Sequence, residues 1–165
     1  MEEGKKKEEN TEERLVVVFE LGKEEFGVNI NEVKEIIRME EITKIPNSAD
    51  FISGVINLRG GIIVIVNLAK KLSLEEKQND KNTRILVVEN GNNMIGMIVD
   101  SATEVLRLSD KQIEEAPPII TQKINADYIE GVGVLSEERL LILLDLVKVL
   151  GGAEIQQASN FQPNA

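Results

Sequence analysis

Carboxylates, Lys and Ser are the side chains in this sequence that remain available for enzyme chemistry. The 165 residues include 29 Asp and Glu but no His and no Cys. This composition excludes Ser-His-Asp and Cys-His catalysis, thiolate metal sites and disulfide bonds. Neighbouring glutamates occur as Glu24-Glu25, Glu40-Glu41, Glu114-Glu115 and Glu137-Glu138. Because adjacent side chains point apart in a strand or a helix, these pairs predict solvated surface rather than a two-carboxylate active site.

The chain also lacks the short motifs that bind nucleotides or metals. No phosphate-binding glycine loop, dinucleotide fingerprint or metal-ligand spacing occurs in the sequence. We therefore expect no catalytic residues, no metal and no cofactor. The net charge of −10 disfavours nucleic acid and anionic membrane surfaces as partners. No apolar run approaches the roughly 18 residues of a membrane span, so we expect no direct membrane insertion.

The least ordinary stretch is Gly-Val-Ile-Asn-Leu-Arg-Gly-Gly at residues 54–61. It places Arg59 at the tip of a predicted hairpin whose strands are almost wholly aliphatic. Gly60 and Gly61 are expected to supply the positive φ that a tight turn needs. Two interpretations are open: Arg59 only solvates the turn, or it is held rigidly beside an apolar surface as part of a protein interface.

Short β-branched runs, separated by Gly, Asn and Asp, predict the elements that must position these residues. Four hairpins are predicted, from residues 15–21 with 25–30, 51–58 with 62–68, 84–90 with 94–100, and 128–135 with 139–145. Segments 38–45 and 103–108 bring the total to about ten strands. One small sheet would bury so many strands poorly, whereas two small closed barrels would also remove the exposed edges. The predicted fold is all-β with minor helix.

Helix is predicted in three short places. Asn29 or Asn31 can cap a helix in which Val33, Ile36 and Ile37 recur at helical spacing. Shorter helices are expected at residues 68–72 and 146–150. The polar residues 74–83 are predicted to form a crossing loop at the seam between two halves of the fold.

Composition also sets the expected domain bounds. Residues 1–13 are highly charged and are predicted to form a disordered arm. Residues 14–151 are predicted to form the folded domain, with two β-barrel subdomains. Residues 152–165 begin at the second of two consecutive glycines, are rich in Gln, Asn and Ser, and are predicted to form a flexible tail with a single aromatic residue, Phe161.

From about Leu15 to Gly151 the sequence resembles the CheW family, the coupling proteins of bacterial chemotaxis. The residues that carry the resemblance are Phe19-Glu20-Leu21-Gly22, Glu25-Phe26-Gly27-Val28, Val33-Lys34-Glu35-Ile36-Ile37, Ile45-Pro46-Asn47, Gly54-Val55-Ile56-Asn57-Leu58-Arg59-Gly60, Gly96-Met97-Ile98-Val99-Asp100 and Gly131-Val132-Gly133. The resemblance implies two intertwined five-stranded SH3-like β-barrels around a joint hydrophobic core. It also implies a protein without catalysis and without a cofactor.

The resemblance further implies partners and interfaces. Members of the family bridge the cytoplasmic tip of methyl-accepting chemoreceptors to the chemotaxis histidine kinase CheA, whose regulatory domain has the same fold. The positions that match the receptor-facing surface are Val33, Glu35, Ile36, Asn57, Arg59 and Val99. The positions that match kinase contacts or array geometry are Gly54, Val105, Ala116, Pro117, Ile119 and Gly131. The expected protein is a cytoplasmic adaptor that is recruited to membrane receptor arrays.

Two other interpretations stay open. The chain could be the homologous regulatory domain of a histidine kinase, which the absence of ATP-binding sequence beside it disfavours. It could also be a small hydrolase that uses Glu or Ser, which incubation with general ester and glycoside substrates would reveal.

Overall fold

The computed structural model of the protein describes residues 12–160. Residues 1–11 of the predicted arm lie outside the described residues, as does Phe161. Strands contain 50% of the described residues and helices 19%, which confirms the predicted all-β fold with short helices. The first strand begins at Glu13, the last residue assigned to the arm.

The elements follow one another in this order. The strands are β1 (Glu13–Leu21), β2 (Glu24–Asn29), β3 (Val33–Arg38), β4 (Ile52–Leu58), β5 (Gly61–Asn67), β6 (Arg84–Asn90), β7 (Asn93–Val99), β8 (Ser101–Ser109), β9 (Ile113–Glu114), β10 (Ile129–Ser136) and β11 (Arg139–Leu144). The α-helices are α1 (Leu68–Lys71), α2 (Pro118–Thr121), α3 (Leu146–Leu150) and α4 (Ala153–Ser159). Single 3-10 turns span Ile30–Glu32, Asp110–Gln112 and Ala126–Tyr128.

The strands form two sheets that exchange chain segments. Barrel 1 has the order β8-β1-β2-β11-β10-β9, and barrel 2 has the order β3-β6-β7-β5-β4. Barrel 2 uses consecutive strands, whereas barrel 1 takes strands from both ends of the chain, so the two are intertwined as predicted. All four predicted hairpins form. Barrel 1 has a sixth strand, which the prediction lacked, because the two-residue β9 pairs with β10.

Each sheet closes on itself through the segment that follows its edge strand. In barrel 2 the chain leaves β3 and Thr43 then pairs with Val55 of β4. The Thr43 N–H donates to the Val55 carbonyl at 2.9 Å, and the Val55 N–H donates to the Thr43 carbonyl at 2.8 Å. In barrel 1 the chain leaves β8 through a 3-10 turn, and β9 then pairs with β10. These pairings cover edges that would otherwise expose unpaired backbone groups.

Alternation along the strands sorts the aliphatic side chains into three clusters. One fills barrel 1, with Val16, Val18, Leu108, Leu141 and Leu143. Another fills barrel 2, with Ile56, Ile63, Ile65, Ile85 and Val87. The alternate residues of the same strands form a larger joint core between the barrels, in which the rings of Phe19 and Phe26 stack with centroids 5.7 Å apart. The joint core therefore holds the two barrels together.

The helix predicted around Val33 is wrong. Only a 3-10 turn forms at Ile30–Glu32, and the following residues are the edge strand β3. The apolar spacing of Val33, Ile36 and Ile37 fits a helix, but pairing with β6 satisfies the backbone of this β-branched segment instead. The adjoining strand predicted at residues 38–45 is also wrong, apart from the single bridge at Thr43.

Two predictions about connections and the C-terminus need correction. Residues 74–83 form an irregular loop, but this loop joins α1, which follows β5, to β6 of the same barrel and is not the seam. The predicted flexible tail is wrong over residues 153–159, which form α4. Ile155 and Ala158 lie on one face of α4 and are buried where it packs on β4 and β5, so apolar burial orders the segment.

The two barrels repeat one arrangement. In each, three antiparallel strands connect through a parallel pair, β2 with β11 or β7 with β5, to a hairpin. Each of these hairpins leads into a short helix whose first turn is capped, by Asn67 before α1 and by Asp145 before α3. The sequences that enter the hairpins match as well, because Phe-Ile-Ser-Gly-Val at 51–55 corresponds to Tyr-Ile-Glu-Gly-Val at 128–132. The predicted helices at 68–72 and 146–150 are thereby confirmed as α1 and α3.

Candidate protein-interaction surface

The tip of the β4–β5 hairpin holds Arg59 in an unusual backbone conformation. Arg59 has φ 51° and Gly60 has φ 86°, the two positive angles of a tight two-residue hairpin turn. The expectation that Gly61 supplies one of them is wrong, because Arg59 itself adopts the left-handed conformation. Asn57 fixes the turn further by accepting a hydrogen bond from the Gly60 N–H at 3.0 Å. The guanidinium is therefore mounted on a rigid base.

Arg59 forms a two-pronged ion pair with Glu35. Its Nη1 donates to Glu35 Oε2 at 2.9 Å, and its Nη2 donates to Glu35 Oε1. Because Glu35 lies on β3 and Arg59 on the β4–β5 tip, the pair joins elements from opposite edges of the barrel 2 sheet. The hydrogen bonds from Arg59 lower the pKa of the Glu35 carboxyl, and Glu35 raises the pKa of Arg59. Arg59 nevertheless keeps 68% of its side chain exposed, so a partner can still reach it.

Aliphatic side chains are exposed on the same strands. Ile36 follows Glu35 on β3 and is 43% exposed. Its cross-strand partner is Leu86, a joint-core residue, so Ile36 lies on the sheet face that forms the joint core. Val33, on the same strand, is half-buried against the joint core. The structure thus places Val33, Glu35 and Ile36 on one edge strand, which the Glu35–Arg59 ion pair joins to the β4–β5 tip.

Val99 does not belong to an accessible surface. It is 0% exposed and packs within the joint core. The expectation that Val99 belongs to the receptor-facing surface is therefore contradicted, because the side chain is not accessible. Its place in a motif with Gly96 reflects core packing, because a Cβ on Gly96 would lie 2.6 Å from Ile85 Cγ2 and 2.7 Å from Ile65 Cδ1.

The residues matched to kinase contact divide into exposed and buried groups. Val105 on the edge strand β8 is 49% exposed, and Ile119 in α2 is also exposed, with Ala116 and Pro117 half-buried in the segment before it. Gly54 and Gly131 are buried at equivalent positions of the two barrels. A Cβ on Gly54 would lie 2.8 Å from the Thr43 carbonyl carbon, and one on Gly131 would lie 3.0 Å from the Glu114 carbonyl oxygen. At both positions the absence of a side chain lets the closing segment of the barrel approach closely.

Sequence reasoning missed a second arginine clamp, on barrel 1. Arg139 donates from Nε and Nη2 to the two carboxylate oxygens of Glu25, at 2.8 and 3.0 Å, and from Nη2 to Glu104 at 2.6 Å. These carboxylates raise the pKa of Arg139. Glu104 precedes Val105 on β8 as Glu35 precedes Ile36 on β3, and Val105 pairs with the joint-core residue Val17. The repeated hairpin sequence was the signal that could have revealed this correspondence.

The described residues contain no constellation that resembles a catalytic site. Among residues 12–160, no three His, Cys, Asp or Glu side chains are grouped to hold a metal ion, and Thr83 is the one polar residue that is buried. Outside the two clamps, burial raises the pKa of the Glu32 carboxyl, and the nearby Glu130 and Asp145 raise it further. Within the same range, no helix is long and apolar enough to cross a bilayer.

The shared core and the exposed rims of the two barrels define a two-barrel β protein with candidate interaction surfaces. The family model of the CheW-like domain matches residues 15–154, so the chain belongs to the CheW family. It is 38% identical over 144 residues to the chemotaxis protein CheW of Klebsiella aerogenes, covering 87% of this chain and 86% of that protein. It is 33% identical over 155 residues to CheW of Treponema pallidum, covering 92% and 90%.

A solved structure shows the same fold. The scaffolding protein TtCheW from Thermoanaerobacter tengcongensis superposes with a TM-score of 0.77 at 33% identity, covering 86% of this chain and 90% of that chain. This match supports the predicted SH3-like barrels. The names of these relatives, as chemotaxis and scaffolding proteins, support an adaptor function in chemotaxis.

Proposed function

We propose that this protein is a non-catalytic cytoplasmic adaptor that couples methyl-accepting chemoreceptors to the histidine kinase CheA in membrane-associated arrays. The observation that carries the proposal is the exposed Glu35–Arg59 ion pair, which joins the edge strand β3 to the β4–β5 tip in a chain of the CheW family. We call Val33, Glu35, Ile36, Asn57 and Arg59 the receptor surface. We call Val105, Ala116, Pro117 and Ile119 the kinase surface.

The receptor surface has the chemistry to bind a helical hairpin. The exposed Ile36 and the half-buried Val33 offer apolar area to one face of an amphipathic helix. A guanidinium has five N–H donors, and Arg59 uses two of them on Glu35, so three remain for carboxylates or carbonyls of the partner. The rigid turn limits the entropy that Arg59 loses on binding.

The residues of the proposed kinase surface belong to barrel 1 segments, because Val105 lies on β8 and the other three lie between β9 and β10. Val105 and Ile119 are large exposed aliphatic residues, and Val105 adjoins the ion pair between Glu104 and Arg139. Separate surfaces on separate barrels suit an adaptor, because one partner can bind without displacing the other.

Paired substitutions test the two surfaces. Arg59→Ala should weaken binding of a receptor cytoplasmic fragment by about 5- to 100-fold, the range for an interface anchor, and should leave binding of the CheA regulatory domain unchanged. The matched control is Arg107→Ala, which removes an equally exposed arginine that is paired with Glu13 at 3.3 Å on barrel 1. Val105→Glu should weaken binding of the CheA regulatory domain and leave binding of the receptor fragment unchanged. Its control is Val147→Glu on the exposed face of α3.

Titration calorimetry measures the affinity of each variant for each partner. If the native protein binds neither partner, the adaptor proposal is wrong. If Arg59→Ala and Arg107→Ala bind the receptor fragment equally well, the receptor surface lies elsewhere. Hydrolysis of general ester or glycoside substrates by the native protein, lost in Glu or Ser variants, would favour the hydrolase alternative.

A further inference from the structure

The side chain of Lys71 connects the two barrels through aromatic rings. Its Nζ lies 4.4 Å from the centroid of the Phe51 ring and 5.4 Å from the centroid of the Tyr128 ring. Phe51 precedes β4 of barrel 2, whereas Tyr128 precedes β10 of barrel 1. A single ammonium group on α1 therefore lies against one ring from each barrel, within the distance at which the ring faces attract a cation.

Both rings are held by the same backbone arrangement. The Asn67 N–H donates to the Phe51 carbonyl at 2.7 Å, and the Asp145 N–H donates to the Tyr128 carbonyl at 2.9 Å. Phe51 and Tyr128 are thus equivalent residues of the repeated unit, and both pack against the joint core. Because each aromatic residue is fixed within its own barrel, a group that binds both rings senses the position of one barrel relative to the other.

Lys71 departs from the repeat that surrounds it. In the matching helix α3 the equivalent position is Val149, which is fully buried in the joint core. The joint core is mainly aliphatic apart from Phe19 and Phe26, and the hydrophobic attraction that holds it does not depend on direction. A cation over two ring faces does depend on direction, since the attraction requires the charge to lie above each ring.

We propose that Lys71 is a positioning residue that sets the orientation of barrel 1 relative to barrel 2. Its consequence for signalling rests on the proposed function: the receptor surface lies on barrel 2 and the kinase surface on barrel 1, so their mutual angle depends on this contact. Each surface keeps its own affinity without Lys71. Lys71 is required for the geometry of the complex that contains both partners.

The chain offers well-matched variants for the test. Lys71→Met keeps the length and apolar stem of the side chain but removes the charge, and Lys71→Arg keeps a cation that stacks on aromatic rings. Lys70→Met is the control, because it removes the neighbouring lysine, which pairs with the exposed Asp50 at 3.4 Å. Tyr128→Leu removes only the ring of barrel 1 and provides an independent route to the same result.

Spin labels can measure the orientation directly, because the native sequence contains no cysteine. Cysteines introduced at Asn92 and Glu137, exposed residues of the hairpin turns of barrel 2 and barrel 1, give one label on each barrel. We expect double electron–electron resonance to show a broadened or displaced distance distribution in Lys71→Met and in Tyr128→Leu. Lys71→Arg and Lys70→Met should match the native distribution. A native distribution in both Lys71→Met and Tyr128→Leu would overturn the proposal.

A second measurement addresses the consequence for partners. With a receptor fragment and CheA present together, Lys71→Met should reduce receptor-dependent kinase stimulation at least threefold while binding each partner alone within about twofold of native affinity. Native stimulation by Lys71→Met would refute the link to signalling. If the native protein binds neither partner, the proposed function fails, whereas the spin-label result still decides whether Lys71 orients the barrels.

Discussion

Replacing Gly54 with alanine tests whether this glycine, matched by resemblance to kinase contact, acts instead by closing barrel 2. Gly54 has φ +143°, a conformation that residues with a side chain rarely adopt. A Cβ there would overlap the Thr43 carbonyl oxygen and lie 2.7 Å from Ile42 Cγ2. The Thr43 carbonyl accepts the hydrogen bond that closes the barrel, so the backbone itself must move.

Two other glycines set the scale for this effect. A Cβ on Gly131 would lie 3.0 Å from the Glu114 carbonyl oxygen, and a Cβ on Gly61 would lie 3.6 Å from the Leu58 carbonyl oxygen. Backbone strain and overpacking together should make Gly54→Ala cost about 3–5 kcal/mol of the free energy of unfolding. Gly131→Ala should cost about 1–2 kcal/mol through overpacking alone. Gly61→Ala should change stability by less than about 0.5 kcal/mol.

Thermal unfolding followed by circular dichroism measures the series. For a domain of this size, the expected decreases in Tm are about 10 °C for Gly54→Ala, about 4 °C for Gly131→Ala and about 1 °C for Gly61→Ala. Binding to the CheA regulatory domain, expressed per folded molecule, should remain native in all three variants. A stable Gly54→Ala protein that loses kinase binding alone would refute the closure argument and restore Gly54 as a contact residue.

Three further substitutions probe other features. Burial raises the pKa of Glu32 above its ordinary 4.5, so the fold favours the protonated carboxyl and is destabilised by the ionised one. The contribution of the protonated carboxyl to stability is fully present below pH 4.5 and is lost as the pH rises through the folded-state pKa. Glu32→Gln should therefore raise the free energy of urea unfolding at pH 7 and leave it unchanged below pH 4.5. Ile155→Ala should cost about 2–4 kcal/mol in the same assay, whereas a flexible tail would give no change. Glu35→Lys should weaken receptor binding in calorimetry, because it places a like charge beside Arg59. It should leave Tm almost unchanged, because Arg59 is exposed.

Local pattern was enough to predict the hairpins but not the edges of the barrels. In β1, Val17 and Phe19 face the joint core while Val16 and Val18 face the barrel interior, and such a run of β-branched and aromatic residues has no good alternative to a buried strand. At β3 the spacing of Val33 and Ile36 fits a helix equally well. Pairing with β6, more than 40 residues away in the chain, decides the matter, and no local pattern contains that information.

The candidate site was predictable in its parts but not in its pairing. Arg59 is conspicuous because a charged residue interrupts an aliphatic hairpin, and Glu35 enters through the family motif. Their ion pair depends on how β3 and the β4–β5 tip meet across barrel 2, which follows from the fold alone. In the same way, the family motifs did not reveal that Val99 and Gly54 are buried. A motif marks a position as constrained, but only burial distinguishes a residue that packs from one that binds.

The two arginine clamps differ in how much of each arginine is left for a partner. Both arginines bind a glutamate on an edge strand, Glu35 or Glu104, so the clamp itself is a structural device present in each barrel. Arg139 divides three hydrogen bonds between Glu25 and Glu104 and is 39% exposed, whereas Arg59 binds one carboxylate and is 68% exposed. Arg139 therefore has fewer donors and less surface left for a partner. Arg139, the first residue of β11, therefore serves to hold barrel 1 together, and Arg59, in the turn before β5, is the one that the fold leaves available for recognition.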